Sequence, residues 1–322
     1  MILAADFGGT TIKLGIVRGG VILARCRLEA QANRPMSDRL EAVASAWEKL
    51  LKESGLTVNE CLGTALALPF LSDPVRSRVF GAFGKFPGAD TIDYAAWSKE
   101  RLGLPTALEN DLRVALLGEW DAGAARDKAH VLMLALGTGI GCAVISNNRL
   151  LRGANNRAGT LLGHSTIDFQ GARGRCGNIG CAEDLASTAT LEVVARNHPH
   201  FVGSELARAA KMDFETLFSL AAKGDVCSDS LLNESLKIWA TLIQNAVLAY
   251  DPEIVLLGGG VLRSPTVILP VVEKHLRECM PEVPLHIPIV AAALGDDAAI
   301  LGAEVLFEQI HSGPFYENVQ LR

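Results

Sequence analysis

Apolar residues recur along the chain with two different spacings, and the alternation between these spacings predicts an α/β fold. Residues 38–55 carry apolar side chains at helical spacing, with Ser37 or Asp38 as the expected cap and Gly55 as the stop. Similar patterns predict helices at residues 111–122, 230–250 and 264–280. Short apolar runs predict strands at residues 21–28, 61–68, 105–108, 254–257 and 285–290. Strands interleaved with helices in this way form sheets that helices cover.

Two distant segments of the chain resemble each other. Residues 2–17 and residues 131–145 both consist of an apolar strand, a turn of glycine and threonine, and a second apolar strand. Glycine allows a tight hairpin and leaves backbone N–H groups uncovered by side chains. The recurrence predicts two related halves. Residues 154–187, rich in Gly, Asn and Arg and without clear periodicity, are interpreted as a long functional loop region between these halves.

Length, composition and charge exclude several classes of protein. The 322 residues, with 49% hydrophobic and 20% charged side chains, are typical of a globular protein of about two domains. No apolar stretch approaches the ~20 residues that cross a bilayer, and no signal peptide begins the chain, so a soluble, cytoplasmic protein without a membrane partner is expected. The net charge is −6 without any basic tract, which makes nucleic acid an unexpected partner. The seven scattered cysteines are typical of cytosolic thiols.

The two glycine turns contain the residue types that bind phosphate. A carboxylate beside small residues can hold a hydrated Mg²⁺, while bare N–H groups and threonine hydroxyls bind phosphate oxygens. A plain hairpin turn is the alternative, but the repetition favours phosphate binding. The chain has no P-loop motif, and the strand-like residues after the second turn exclude a dinucleotide fingerprint. The candidates are Asp6, Gly8, Gly9, Thr10 and Thr11 in the first turn and Gly137, Thr138 and Gly139 in the second.

Three further groups carry candidate chemistry. The glycines 258–260 follow a predicted strand, where adenine can lie against bare backbone, although a simple strand-to-helix turn is equally consistent. Asn110 and Asp111 begin a predicted helix, so either can be a cap; alternatively Asp111 is a general base and Asn110 orients the substrate. His164, Cys176 and Cys181 are potential zinc ligands, but a structural zinc site normally has four ligands, and the alternative is a histidine beside two buried thiols.

In combination, these motifs make the chain similar, nearly from end to end, to the ROK family (repressor, open reading frame, kinase) of the sugar kinase, actin and Hsp70 superfamily. The resemblance implies a two-domain actin-like ATPase fold with a duplicated βββαβα-type core. The expected domains are residues 1–112 with 299–322, and residues 113–298. The segment 294–299 resembles the helix start that returns the chain to the first domain. The resemblance also implies ATP and Mg²⁺ as cofactors, a sugar held between the domains, and a homodimer.

The family likeness also assigns roles to individual residues. Asp111 corresponds to the base that deprotonates the sugar hydroxyl, with Asn110, His164 and Glu183 as substrate contacts. The two glycine turns correspond to the phosphate motifs, and Gly258, Gly259 and Gly260 to the adenosine motif. The activity expected from the resemblance is transfer of the ATP γ-phosphoryl group to a hydroxyl, the 6-hydroxyl, of a hexose or hexose derivative. The alternatives are a catalytically weak sugar-binding regulator and a repressor-like member without a DNA-binding domain.

The chain departs from the family pattern at two positions. Leu161 stands where the family has a glutamate that contacts sugar hydroxyls, so glucose is expected to be a poor substrate. Gly174 stands where the family has the first cysteine of its zinc motif, although His164, Cys176 and Cys181 remain. Because three ligands are typical of weak or catalytic sites, less than one equivalent of zinc is expected.

Overall fold

The computed structural model describes residues 1–81, 84–263, 265–279 and 287–312. These residues form two compact units. The first contains Met1–Asp127, Arg152–Arg157 and the described residues from Ala293 onward, and the second contains Lys128–Leu151 and Ala158–Ala292. The boundaries expected at residues 112 and 298 differ from this division, because the helix that starts at Asp111 packs in the first unit.

The first unit is built on a five-stranded sheet in the order β3-β2-β1-β4-β7. Its strands are β1 (Ile2–Phe7), β2 (Thr11–Arg18), β3 (Val21–Glu29), β4 (Gly63–Leu68) and β7 (Thr106–Asn110), and a small ribbon joins β5 (Leu71–Asp73) to β6 (Arg78–Phe80). The first three strands are antiparallel, while β1, β4 and β7 run parallel. The helices are α1 (Met36–Glu53), α2 (Tyr94–Leu102), α3 (Asp111–Ala122) and α10 (Ala298–His311).

The second unit repeats this arrangement with the order β10-β9-β8-β11-β12. Its strands are β8 (Val131–Leu136), β9 (Ile140–Ser146), β10 (Arg149–Leu150), β11 (Ile254–Gly258) and β12 (Ile289–Ala291). Its helices are α4 (Ala182–Ala186), α5 (Thr188–Arg196), α6 (Glu205–Arg208), α7 (Phe214–Ala221), α8 (Val226–Tyr250) and α9 (Pro265–Cys279). Three antiparallel strands again precede two parallel ones, which confirms the duplication predicted from the two glycine-turn segments.

Helix α3 is held in place by very close packing against α10. A Cβ atom at Gly118 would overlap the carbonyl oxygen of Ala298, and a Cβ atom at Gly302 would overlap the carbonyl oxygen of Val114. Glycine is therefore required at both positions for the two helix backbones to approach this closely. Asp111 is the first residue of α3, so this contact fixes the backbone that carries it.

Most predicted elements are present, with differences at their ends. The predicted cap of α1 at Ser37 or Asp38 is wrong, because the helix starts before both residues, at Met36, with Pro35 at the N-cap position and no side-chain cap hydrogen bond. The first N–H group of the helix, that of Met36, instead donates a hydrogen bond to the Pro87 carbonyl oxygen at 2.9 Å. Residues 264, 280, 285 and 286 of the predicted helix 264–280 and strand 285–290 lie outside the described residues. None of the described helices has the length and apolar content needed to cross a membrane.

Candidate active site

The first glycine turn connects β1 to β2 and presents bare backbone. The Gly8 N–H donates a hydrogen bond to the Thr11 carbonyl oxygen at 3.0 Å, and a Cβ atom at Gly8 would lie 2.8 Å from that oxygen. No larger residue fits at Gly8 without moving the turn. Gly9 and Thr10 are exposed. The turn therefore offers N–H groups and a hydroxyl to a ligand such as phosphate.

Asp6, at the end of β1, belongs to a charged cluster with two residues that the sequence analysis missed. It pairs across the hairpin with Lys13, whose Nζ lies 3.2 Å from Asp6 Oδ2 and 3.0 Å from Oδ1 of Asp296. Burial raises the pKa of Asp6, although the Lys13 ammonium group opposes this change. No described residue donates a hydrogen bond to Oδ1 of Asp6, so this oxygen suits the hydration shell of a divalent cation.

Asp111 lies where β7 ends and α3 begins, and its side chain is partly accessible. Its Oδ1 accepts hydrogen bonds from the Leu112 N–H at 2.8 Å and from Asn110 Nδ2 at 3.0 Å. None of the described residues donates to Oδ2. Burial, and then the nearby Asp6 carboxylate, raise the pKa of Asp111 to about 7. A carboxyl group with this pKa and a free oxygen is suited to accept a proton near neutral pH.

Asn110, rather than Asp111, is the cap of α3. Its Oδ1 accepts a hydrogen bond from the Arg113 N–H at 3.3 Å, and its Nδ2 donates to the Phe70 carbonyl oxygen at 3.3 Å as well as to Asp111. Helix capping therefore does not account for Asp111. The geometry makes Asn110 a residue that holds the Asp111 side chain in one orientation.

The strand end before Asp111 is anchored by Glu109, which is fully buried. Its Oε2 lies 2.7 Å from Arg152 Nε, and its Oε1 lies 3.3 Å from Arg113 Nη1 and 2.5 Å from Ser72 Oγ. Burial acts to raise the pKa of Glu109, but the two guanidinium groups and the hydrogen bonds together lower it. A buried carboxylate paired on both oxygens is strongly oriented, so this network fixes the backbone at the start of α3.

Lys85 is an exposed residue that no sequence motif indicated. Its Nζ lies 3.7 Å from the position that a Cβ atom at Gly9 would occupy, so the ammonium group stands beside the first glycine turn. Its positive charge also lowers the pKa of Asp111, against the larger effect of burial. The first unit thus places one cation next to both the candidate phosphate turn and the candidate base.

The second glycine turn, between β8 and β9, is fixed by bonds to its own unit. The Gly137 N–H donates to the Gly139 carbonyl oxygen at 3.0 Å, and the N–H of Thr188 donates to the Gly137 carbonyl oxygen at 3.0 Å. Oε2 of Glu183 accepts a hydrogen bond from the Ile140 N–H at 2.8 Å, and a Cβ atom at Gly139 would lie 2.5 Å from this oxygen. Glu183, predicted as a sugar contact, thus supports the second glycine turn in the structure. Thr138 is exposed.

The glycines at 258–260 lie beside this turn. Strands β8 and β11 are parallel neighbours, with Gly258 opposite Ala135, and a Cβ atom at Gly137 would lie 3.7 Å from the Gly260 backbone nitrogen. Gly259 has φ +90°, and a Cβ atom there would overlap the Leu136 carbonyl oxygen, whereas a Cβ atom at Gly260 would have no atom of the described residues within 4 Å. Both glycine segments therefore occupy the carboxyl end of two parallel strands, the edge at which ligands bind in open α/β sheets.

His164, Cys176 and Cys181 lie together in the second unit, and one ligand atom from each falls within 4.8 Å of the others. The two Sγ atoms are 3.6 Å apart. Nδ1 of His164 is buried and has no hydrogen-bond partner among the described residues. A buried ring nitrogen without a partner, beside two thiols, is a donor set that fits zinc.

Leu161 precedes the 3-10 turn Leu162–His164, and its side chain is 41% exposed. An aliphatic side chain accepts no hydrogen bond, so a sugar hydroxyl placed against it would lack a partner. The lack of a hydrogen-bond acceptor at Leu161 is the reason why glucose is expected to be a poor substrate.

The duplicated sheet order, with a glycine turn after the first strand of each half, defines the class of two-domain actin-like ATPase folds to which sugar kinases belong. The sequence profile of the ROK family matches residues 2–310 of the chain. The protein therefore belongs to the ROK family, as the motifs had indicated.

Several relatives of the chain are named as sugar kinases. The chain is 29% identical to the glucokinase of Thermotoga maritima, over 96% of this chain and 97% of that protein. It is 30% identical to the beta-glucoside kinase of Listeria innocua, again over 96% and 97% of the two chains. Among solved structures, the ROK hexokinase of Thermus thermophilus aligns with a TM-score of 0.79 and 29% identity, over 95% of this chain and 97% of that one.

Proposed function

We propose that the protein is an ATP-dependent sugar kinase that transfers the γ-phosphoryl group to the 6-hydroxyl of a hexose or hexose derivative. The observation that carries this proposal is the arrangement around Asp111, whose Oδ2 has no hydrogen-bond donor among the described residues and whose pKa is raised by burial to about 7. Membership of a family whose relatives include a glucokinase and a beta-glucoside kinase supports the same reaction class.

Asp111 acts as the general base in this proposal. Oδ2 accepts the proton of the sugar hydroxyl while the hydroxyl oxygen forms a bond to the γ-phosphorus of ATP. The bond from that phosphorus to the oxygen bridging to the β-phosphate breaks, and ADP leaves with the electron pair. Asn110 holds Oδ1 at 3.0 Å, which keeps Oδ2 available for the substrate. Phosphoryl transfer depends mainly on such positioning and on neutralising charge.

Each unit, taken by itself, contains residues of the types that bind a nucleotide. In the first unit, Gly8, Gly9, Thr10 and Thr11 offer donors to phosphate oxygens, Lys85 offers a positive charge, and Asp6 would hold the hydration shell of Mg²⁺. In the second unit, the turn at Gly137, Thr138 and Gly139 offers further donors, and the bare backbone at Gly258, Gly259 and Gly260 suits the adenosine. Mg²⁺, when bound, neutralises the phosphate charge that builds up during transfer.

The test of this proposal is sugar-dependent release of ADP. Purified protein is supplied with ATP and Mg²⁺ and with a panel that includes glucose, beta-glucosides and N-acetylated hexosamines, and ADP is measured by a coupled assay. We expect at least one sugar to raise ADP release well above the rate without sugar. A panel in which no sugar raises ADP release would favour the regulatory alternative.

The same panel tests the role of Leu161. We expect glucose to have a lower kcat/KM than the best sugar, because a hydroxyl buried against Leu161 loses a hydrogen bond, at about 1–3 kcal/mol. Leu161→Glu is expected to raise the kcat/KM of glucose relative to that sugar by about 5- to 150-fold. Leu161→Met, which adds no acceptor, is the matched control. A wild-type kcat/KM for glucose near ~10⁵ M⁻¹s⁻¹, well inside the usual enzyme range, would contradict this role.

The pH dependence of the reaction reports on Asp111. A base must be deprotonated to act, so kcat/KM is expected to rise with pH through an apparent pKa near 7, the value to which burial raises the pKa of Asp111, and then to level off. Lys85→Met removes a charge that lowers this pKa, so the rise should move to higher pH. Lys49→Met, at an exposed lysine paired with Glu53, is the control. An unchanged profile for Lys85→Met would show that Lys85 does not act on the base.

A further inference from the structure

A carboxylate that the motif does not contain lies beside the metal-ligand group of the second unit. Asp184, in the first turn of α4, lies with its Oδ2 at 3.1 Å from Cys181 Sγ and 3.8 Å from Cys176 Sγ. A Cβ atom added to Gly174 would overlap this same Oδ2. The Asp184 carboxylate therefore occupies the space that a cysteine side chain at position 174 would need.

We propose that Asp184 is the fourth ligand of a zinc site formed with His164, Cys176 and Cys181. Zinc takes thiolate, imidazole and carboxylate ligands in a tetrahedron with Zn–S of about 2.3 Å and Zn–O of about 2.0–2.2 Å, which separates two sulfurs by about 3.8 Å and a sulfur from an oxygen by about 3.6 Å. The observed separations of 3.6 Å between the sulfurs and 3.8 Å from Cys176 Sγ to Oδ2 are close to these values, whereas Oδ2 lies 3.1 Å from Cys181 Sγ, at hydrogen-bond distance from the thiol. His164, Cys176 and Cys181 already form a mutually close set, so metal binding would replace the thiol hydrogen bond and draw the Asp184 carboxylate towards His164.

The exchange of ligands also conserves charge. A zinc site with a neutral histidine and three thiolates has three anionic ligands. A site with a neutral histidine, two thiolates and one carboxylate also has three, so the net charge with Zn²⁺ is the same. Arg175 Nε lies 3.5 Å from Oδ1 of Asp184, so the guanidinium group contacts the oxygen that does not face the sulfurs. The Asp184 side chain is only 17% exposed, which limits the water available to take its place.

Zinc binding at these residues would stabilise the neighbouring second glycine turn. Asp184 and Cys181 flank Glu183, whose Oε2 accepts the hydrogen bond from the Ile140 N–H at the second glycine turn. A metal bound at this group would tie the start of α4 to the turn at His164, and so steady Glu183 against the glycine turn. The inference stands on these contacts and does not depend on the proposed kinase activity.

The test measures zinc rather than catalysis. Protein purified without added zinc is analysed for metal content, its zinc environment is measured by X-ray absorption, and its zinc affinity is measured by competition with a chromophoric chelator. The wild type is expected to hold one equivalent with two sulfur and two nitrogen or oxygen ligands. Asp184→Asn should weaken zinc affinity at least ~10²-fold, because loss of even an outer-sphere partner costs about 10- to 100-fold. Asp229→Asn, at an exposed carboxylate of α8, should leave the affinity unchanged.

A second variant keeps the test independent of a simple folding defect. Asp184→Ala combined with Gly174→Cys is expected to restore the affinity and to give three sulfur ligands, because the alanine frees the space beside position 174. Circular dichroism of each variant in excess chelator shows whether the metal-free fold is kept. A wild type without zinc, or with zinc whose affinity is unchanged by Asp184→Asn, would overturn the proposal. So would an X-ray absorption spectrum that needs more or fewer than two sulfurs in the wild type.

Discussion

Asp111→Asn is expected to lower kcat at least ~10²-fold, the usual scale for loss of a general base, while ATP and sugar binding are kept. Asparagine has nearly the shape of aspartate but cannot accept the proton of a hydroxyl. The helix start should survive the change, since the cap of α3 is Asn110 and Glu109 anchors the preceding strand through two arginines. The measurements are steady-state kinetics with the best sugar and thermal unfolding with and without ligands.

The matched control for this variant is Asp90→Asn, an exposed carboxylate of the same unit. It should leave kcat unchanged. If Asp111→Asn turns over at near wild-type rates, the raised pKa of Asp111 merely reflects its burial and the base lies elsewhere. If Asp111→Asn loses its fold, its low kcat does not distinguish loss of the base from loss of the structure. Asp111→Glu then separates these explanations, because it restores a base on a longer side chain and should recover part of kcat.

Gly137→Val is expected to abolish stabilisation by ATP–Mg²⁺. A ligand that binds only the folded protein raises the free energy of unfolding, by about 2.7 kcal/mol at one hundred times its dissociation constant, so the wild type should melt several degrees higher with millimolar nucleotide. A β-carbon at Gly137 has room in the protein, since the nearest atom, the Gly260 nitrogen, would lie 3.7 Å away. The branched side chain would instead fill the space that a phosphate needs beside the exposed backbone.

Differential scanning fluorimetry with a titration of ATP–Mg²⁺ measures this effect. Ala210→Val, which adds the same bulk at an exposed position of the second unit, should keep the full shift. A Gly137→Val protein that is still stabilised as strongly as the wild type would place the phosphates away from the second glycine turn. Gly259 is unsuitable for this test, because its φ of +90° and the adjacent Leu136 carbonyl oxygen make any side chain there disrupt the fold itself.

Local sequence signals were sufficient for much of the fold. The glycine-threonine turns predicted two similar hairpins, and both are present with matching sheet order. The helix predicted at residues 111–122 has those bounds in the structure. The start of α1 was missed because the Met36 N–H finds its acceptor in the Pro87 carbonyl oxygen, a contact that only the tertiary fold creates, and neither Ser37 nor Asp38 is the cap.

The site could be predicted only where its residues belong to a contiguous motif. Asp6, Asn110, Asp111 and the glycine turns fall in such motifs, and the roles assigned to them stay predictions until tested. Lys85 reaches the site through the tertiary fold, and nothing in its neighbouring sequence distinguishes it from ordinary surface charges. Asp296 lies in the segment 294–299 that resembles the family's helix start, but only the fold shows that it contacts Lys13. Asp184 could not be predicted from the sequence either. The sequence shows only that Gly174 stands in place of a cysteine, and the Asp184 carboxylate lies ten residues further along the chain. Its position beside Gly174 is shown by the contacts in the structure.

Identification of the reaction product tests the central claim most directly. The protein is incubated with ATP, Mg²⁺ and the best sugar of the panel, and the products are analysed by phosphorus NMR and mass spectrometry. The account predicts one hexose phosphate per ADP, with the phosphate on the 6-oxygen, and no product with Asp111→Asn on the same time scale. ADP that accumulates with free phosphate and without sugar phosphate, or equal product from Asp111→Asn, would contradict it.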